Sequence, residues 1–277
     1  MKTIIIKVIN WAVQVNWLWK LFHKTIIPLA YYINAAGLQR EVQPPTNNDF
    51  FKNFSELKVM HGVFAGMKYP GKSSIGSGFF PKLLGSYEKE IEPILETICD
   101  SYYSEIVDIG CAEGYYAVGL AMRIKTAKIF AFDTNTKAIR LCKAMAELNG
   151  VSEKITTGSF CDADTLINLP LTEKALIISD CEGYEKELFT NNNVPFLARH
   201  ELLIEVHDFI DIEISSYLRR IFESTHSIQV FSSIDDIKKA QLYEYKELEG
   251  LSLEEKKQIL SEYRPAIMEW FYLKPRI

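Results

Sequence analysis

Glu205 and His207 stand two residues apart in "LLIEVHD", and Asp180 and Glu182 stand two apart in "SDCEGYE". Each pair closes or follows an apolar run short enough to be a strand, and in an extended chain residues i and i+2 share one face. Glu205 and His207 therefore point the same way, and a neighbouring strand ending at Asp180 would bring a third polar group beside them. An imidazole oriented by a carboxylate titrates near neutrality and can take a proton from a reacting group. His207 is accordingly the candidate general base, with Asp180 and Glu205 as catalytic neighbours. Asp180, Glu205 and His207 are also a donor set for a divalent ion, although no metal is expected on the first reading. The plainer alternatives are a hydrogen-bonded histidine that shapes a pocket, and a Glu182-Gly183 pair that only starts the next helix.

Hydrophobic periodicity supplies the elements that must hold these groups. Strands are expected at Ile106–Ile109, Ile129–Phe132, Lys154–Thr157, Ala175–Asp180, Leu202–Val206 and Ile228–Phe231, with a seventh near Met268–Leu273. Helices are expected between them at Tyr115–Arg123, Thr136–Leu148, Tyr184–Thr190 and Ile212–Ser224. Another is expected in "SYEKEIEPILETICDSY", with Ser86 as its cap. Helical crossovers between successive strands predict a Rossmann-like, doubly wound α/β fold with a mostly parallel seven-stranded sheet. This domain is expected over residues 86–277. Residues 57–85, glycine-punctuated, are expected as a hairpin and loop on the substrate side. Residues 1–56 are expected as an amphipathic helical extension ending in the linker "VQPPTNND".

The stretch "IVDIGCAEGYYAVGLAMR" runs from the first strand through a glycine turn into a helix. In an open parallel sheet ligands bind beyond the carboxyl ends of the strands, so Gly110 and Gly114 are read as positions a ligand approaches closely. A dinucleotide fingerprint needs G-x-G-x-x-G, but Gly110-Cys111-Ala112-Glu113-Gly114 has Ala112 where the second glycine belongs, and no G-K-[ST] follows for a P-loop. After the second strand, "AFDTN" places Asp133 and Thr134 where an acid can accept from both hydroxyls of a ribose. A nucleoside without a diphosphate, beside the carboxylates of Asp108 and Glu113, suits S-adenosylmethionine, which carries an adenosine, an ammonium and a sulfonium. Phe160 and Cys161 could flank its adenine, and Tyr87 its methionine end; packing and turn formation explain them equally well. His61, Lys68, Tyr69, Arg264 and Trp270 could line an acceptor cleft or simply pack.

The D-x-G-x-x-x-G strand end followed by an acid after the next strand resembles the class I S-adenosylmethionine-dependent methyltransferases. "ISDCEGYEKELF" and "LLIEVHD" further resemble the signature of the FkbM-type family, with Ala112, Cys181 and Tyr184 departing from the usual pattern. The resemblance spans roughly residues 86–275 in element order, with only these short motifs specific. It implies O-methylation of a sugar, glycan or natural-product hydroxyl. Methyl transfer is an in-line displacement, so such an enzyme aligns donor and acceptor and removes the hydroxyl proton. The alternatives are N-methylation of a small amine, which needs no comparable base, and a cofactor-binding scaffold without turnover.

The chain of 277 residues carries a formal charge of −5, yet residues 1–40 hold five cations and no acid, leaving 26 basic against 36 acidic residues elsewhere. An acidic body argues against nucleic acid as a partner and for a small-molecule or glycan acceptor. Five scattered cysteines without a CxxC pair predict neither disulfides nor a zinc cage, and a cytoplasmic setting. Residues 1–37, rich in Ile, Trp and Tyr but interrupted by lysines, are too broken for a spanning helix. They are expected as a helix packed on the domain or in a homodimer, or as one lying on a membrane surface.

Overall fold

The computed structural model describes residues 15–25, 41–42, 54 and 56–276. The chain divides into two units, residues 1–41 and 42–277. In the first, helix α1 (Asn16–Lys24) leaves Trp17, Trp19 and Leu21 exposed. The rest of the expected amphipathic stretch, and all of the expected linker except residues 41–42, lie outside the described residues. Among the described residues no helix is long and apolar enough to cross a membrane.

The second unit is built on one seven-stranded sheet of β1 (Glu105–Ile109), β2 (Lys128–Phe132), β3 (Ile155–Gly158), β4 (Ala175–Ser179), β5 (Glu201–Val206), β6 (His226–Ser232) and β7 (Glu269–Pro275). Their spatial order is β3-β2-β1-β4-β5-β7-β6, with β1 to β5 parallel and β7 antiparallel to both its neighbours. The expected doubly wound α/β fold is present.

The central strands β1, β4 and β5 are apolar except for Glu105, Asp108, Ser179, Glu201 and Glu205, because both faces are covered. Ile106, Ile129, Leu176, Ile178 and Leu203 enter one core, together with α3 (Glu92–Cys99), α4 (Tyr115–Arg123) and α5 (Thr136–Leu148). Val107, Ile109, Ile177, Leu202 and Ile204 enter the other, with α8 (Val194–Leu197) and α9 (Ile214–Phe222). The two-residue period thus sorts each strand's side chains between opposite layers. The strand order reverses between β1 and β4, so a crevice opens at their carboxyl ends.

Three local expectations are corrected. Residues 57–85 do open with a short hairpin, Lys58 bridging Lys68 antiparallel and Val59 and Tyr69 donating to the Met67 and Leu57 carbonyls, but they then hold a two-residue strand, Ser74–Ile75, and a helix, α2 (Phe79–Leu84), where loop was expected. Every α2 residue is buried, so no amphipathic period marks it, and Gly85 ends it at φ 86°. Helix α3 starts at Glu92, not after Ser86, because Glu88 takes a left-handed φ of 49° and Pro93 fits only the first helical turn. Short helices also appear at α6 (Ala163–Ile167), α8, α10 (Asp236–Leu242) and α11 (Leu253–Leu260), where no helix was read from the sequence.

Candidate active site

The glycine turn is fixed by the fold itself. Gly110 and Cys111 both donate their backbone N–H to the Phe132 carbonyl at 2.9 Å, and Asp180 donates its own to the Ile109 carbonyl at 2.9 Å. Gly110 has φ 84°, and a Cβ there would lie 1.7 Å from the Asp180 carbonyl oxygen. Gly114 has φ 94°, and its Cβ would meet Cys142 Sγ at 2.8 Å. Side chains are therefore excluded at both positions by β4 and α5, not only by an approaching ligand. Ala112, at a left-handed φ of 46°, donates its backbone N–H to Asp133 Oδ2 at 2.9 Å, and Asn135 donates its own to Asp133 Oδ1 at 2.7 Å. Asp133 thus ties the turn to the start of α5 while remaining half-buried.

Asp108 is buried under the same turn, and burial pushes its carboxyl up to about 7 against the pull of the Ala117 backbone N–H. Its Oδ2 has no hydrogen-bond donor among the described residues. Glu113 points elsewhere, accepting from Lys82 Nζ at 2.6 Å, Ser74 Oγ at 2.9 Å and the Ile75 backbone N–H at 3.0 Å. Cys111 and Cys161 are buried, Thr134 is exposed, and Phe160 is half-exposed with its ring 5.5 Å from that of Tyr184. Tyr87 packs edge-on against Tyr115, with Lys82 Nζ over its face.

The carboxyl ends of β4 and β5 bring the predicted catalytic residues together. His207 is buried, with Nε2 3.4 Å from Asp180 Oδ1, 3.7 Å from Glu182 Oε2 and 3.9 Å from Glu205 Oε2. Its Nδ1 is bonded to Glu185 Oε1. Glu185 opens helix α7 (Glu185–Leu188) and is fully buried. The sequence reading missed it, because first-turn acids are ordinarily solvent-facing. Glu182 (φ 52°) and Gly183 (φ 95°) are both left-handed, and this reversal sets α7 with Glu185 against the imidazole. Glu182 itself leaves 62% of its side chain exposed.

Beside this cluster Arg264 bridges Glu88, Glu205 and Glu262, and Lys239 pairs with Glu262. Tyr116 donates its hydroxyl to Glu88. Trp270 is core, paired across the sheet with Glu205 and edge-on to Tyr116. His61 pairs with Glu247, Tyr69 is buried, and the Lys68 backbone is held by Asn149.

Burial alone would lower the His207 pKa, but the close Asp180 and Glu185 carboxylates and the charge of Glu205 outweigh it and raise it well above its ordinary value. The direction is upward from the ordinary histidine value on which the sequence reading rested. Burial also pushes Glu88 and Glu205 up to about 7 against the pull of Arg264. In each case the native state binds a proton more tightly than the unfolded chain, so this stability is present at mildly acidic pH and is lost as pH rises through 7 and above. Glu262 is opposite: burial is overcome by Arg264 and Lys239, which hold it below the usual carboxylate range, so its contribution is lost only as pH falls through that depressed value. The melting temperature is therefore expected to peak at about pH 5–6 and decline toward about pH 8. A scan that climbs steadily from pH 5.5 to 8 would contradict these assignments.

Residues 92–179, from α3 to the end of β4, match the Methyltransferase small domain family. A release factor glutamine methyltransferase of Dictyoglomus turgidum is 37% identical over 65 residues, 24% of this chain and 23% of that protein. The match places a methyltransferase-like segment at residues 92–179, less than half of the chain, and the chain spans under a quarter of that relative's length. Precorrin 8w decarboxylase of Methanobacterium thermoautotrophicum aligns at TM-score 0.45 and 15% identity, over 67% of this chain and 89% of that one. Precorrin-6y C5,15-methyltransferase of Geobacter metallireducens aligns at TM-score 0.44 and 10% identity, again over 67% and 89%. The methyltransferase family match stops at Ser179, so the His207 cluster of this domain lies beyond it.

Proposed function

We propose that this domain transfers a methyl group from S-adenosylmethionine to a hydroxyl of a sugar, glycan or related natural product, as an FkbM-type O-methyltransferase. The observation that carries this reading is the buried imidazole held among Asp180, Glu185 and Glu205 at the ends of β4 and β5. An alcohol acceptor must lose a proton as it is methylated, and this is the group able to relay one. An amine acceptor needs no base as strong, only a route for its proton.

The residues present fit the cofactor. Asp133 sits at the end of β2 for the ribose hydroxyls, and the donor-less Asp108 Oδ2 and Asp180 Oδ1 suit an ammonium. When bound, S-adenosylmethionine supplies a methyl carbon activated by its sulfonium. The chain's part is to fix the turn, exclude water from the buried carboxylates and hold the acceptor in line.

Asp133→Ala should weaken S-adenosylmethionine binding by about 1.5–3 kcal/mol, the scale of a charged hydrogen bond, because two ribose donors lose their acceptor. Calorimetric titration reads this directly, and unchanged affinity would remove Asp133 from the site. Transfer assays against sugar nucleotides and polysaccharides, set beside small amines and a glutamine peptide, test the acceptor class. Label on oxygen supports the proposal, label only on nitrogen replaces it with N-methylation, and cofactor binding without transfer to any acceptor leaves a scaffold.

A further inference from the structure

We propose that Asp180, Glu205 and His207 form a divalent-cation site, with Glu185 orienting the histidine. The inference uses the cluster assigned above, but its readout is cation binding and does not depend on turnover.

One donor atom from each of the three residues lies within 4.8 Å of the others. His207 Nε2 is 3.4 Å from Asp180 Oδ1 and 3.9 Å from Glu205 Oε2. Donors about 2.1 Å from a six-coordinate ion lie roughly 3.0–4.2 Å apart, so the donor atoms need little movement to share one. Asp180 Oδ1 is closed off from solvent and has no hydrogen-bond donor among the described residues, since His207 Nε2 is not aligned with it. A buried carboxylate oxygen without a donor calls for a partner.

Glu185 supplies the second indication. It is fully buried and holds Nδ1, which leaves Nε2 facing the two carboxylates. A ligating histidine ordinarily shows this arrangement, one ring nitrogen fixed by a carboxylate and the other free for the ion. Charge balance agrees, because Asp180, Glu182, Glu185 and Glu205 all lie within ion-pair distance of one imidazole. Arg264 engages Glu205 through Oε1, leaving Oε2 on the His207 side. Asp180 is partly open, with 29% of its side chain exposed, so water or an acceptor oxygen could complete the coordination. Two carboxylate oxygens and one imidazole nitrogen suit a manganese-like ion, which would displace any Nε2 proton and itself make a coordinated hydroxyl more acidic, in place of a proton relay through the ring.

The full chain, stripped with chelator and desalted, would be titrated with Mn²⁺ by calorimetry and by electron paramagnetic resonance of the free ion. One site per chain is expected, weakened at least about tenfold by Asp180→Asn or Glu205→Gln and about 10–100-fold by Glu185→Gln. Circular-dichroism melts identify the variants that remain folded. Asp180→Asn, at the partly exposed position, is the variant on which the conclusion rests. No saturable binding in the millimolar range, or the same affinity in Asp180→Asn, would overturn the site. Strict competition between Mn²⁺ and S-adenosylmethionine would overturn it too, by giving the carboxylates to the cofactor's ammonium; independent or mutually strengthened binding supports it. Methyl transfer that persists after chelation, with no Mn²⁺ bound, would leave the proposed function standing without the site. Mn²⁺ bound as expected in a chain that methylates nothing would leave the site standing without that function.

Discussion

Turnover by a His207→Gln chain should fall about 10²–10⁴-fold with S-adenosylmethionine affinity retained, because glutamine can donate to one carboxylate but cannot exchange a proton. The substitution keeps a polar group among Asp180, Glu182, Glu185 and Glu205, which limits the structural damage an alanine would do there. Asp180 and Glu185 raise the imidazole pKa well above its ordinary value against the effect of burial, so the rate should still be rising as pH passes through neutrality. Loss of that rise in His207→Gln places the imidazole in the proton path. The same rise and full turnover in the variant would take it out, leaving Asp180 and Glu182 as proton acceptors.

Gly110→Ala should destabilise the domain by about 2–5 kcal/mol, combining left-handed backbone strain with overpacking. The new methyl would sit 1.7 Å from a backbone oxygen of Asp180, which cannot rotate away, so β1 and β4 must part at their carboxyl ends. Native domains have only about 5–15 kcal/mol in hand, and the loss would show as a lower denaturant midpoint at unchanged slope. Gly114→Ala offers the contrast, since its nearest neighbour is the Cys142 side chain, although its φ of 94° still strains an alanine. Equal midpoints for Gly110→Ala and the native chain would mean that the β1–β4 contact is looser than described.

The parallel core was legible because burial on both faces leaves apolar runs with at most one polar residue each. "IVDI", "ALIIS" and "LLIEV" fall within a residue of β1, β4 and β5, and the bounds of α4 and α5 coincide with the amphipathic periods read for them. Helix α2 was hidden for the opposite reason, having no polar face to give it a period. The juxtaposition of Asp180, Glu205 and His207 followed from strand adjacency and the two-residue repeat. Glu185 and the Arg264 bridge did not, because one depends on a left-handed turn and the other on a loop more than 50 residues from its β5 partner. Gly110 was recognised as a close approach, but its neighbour is a main-chain carbonyl, which no side-chain pattern reveals.

Strand β7 lies between β5 and β6 although it follows both in sequence. As the chain leaves the ribosome, β5 therefore keeps one edge unpaired until residues 269–275 have emerged, and β6 has no place in the sheet before then. Through that interval Glu205 has neither Arg264 nor the Trp270 strand beside it. The nascent chain thus exposes an apolar edge on the strand that bears Glu205, a window in which chaperone capture competes with completion of the fold.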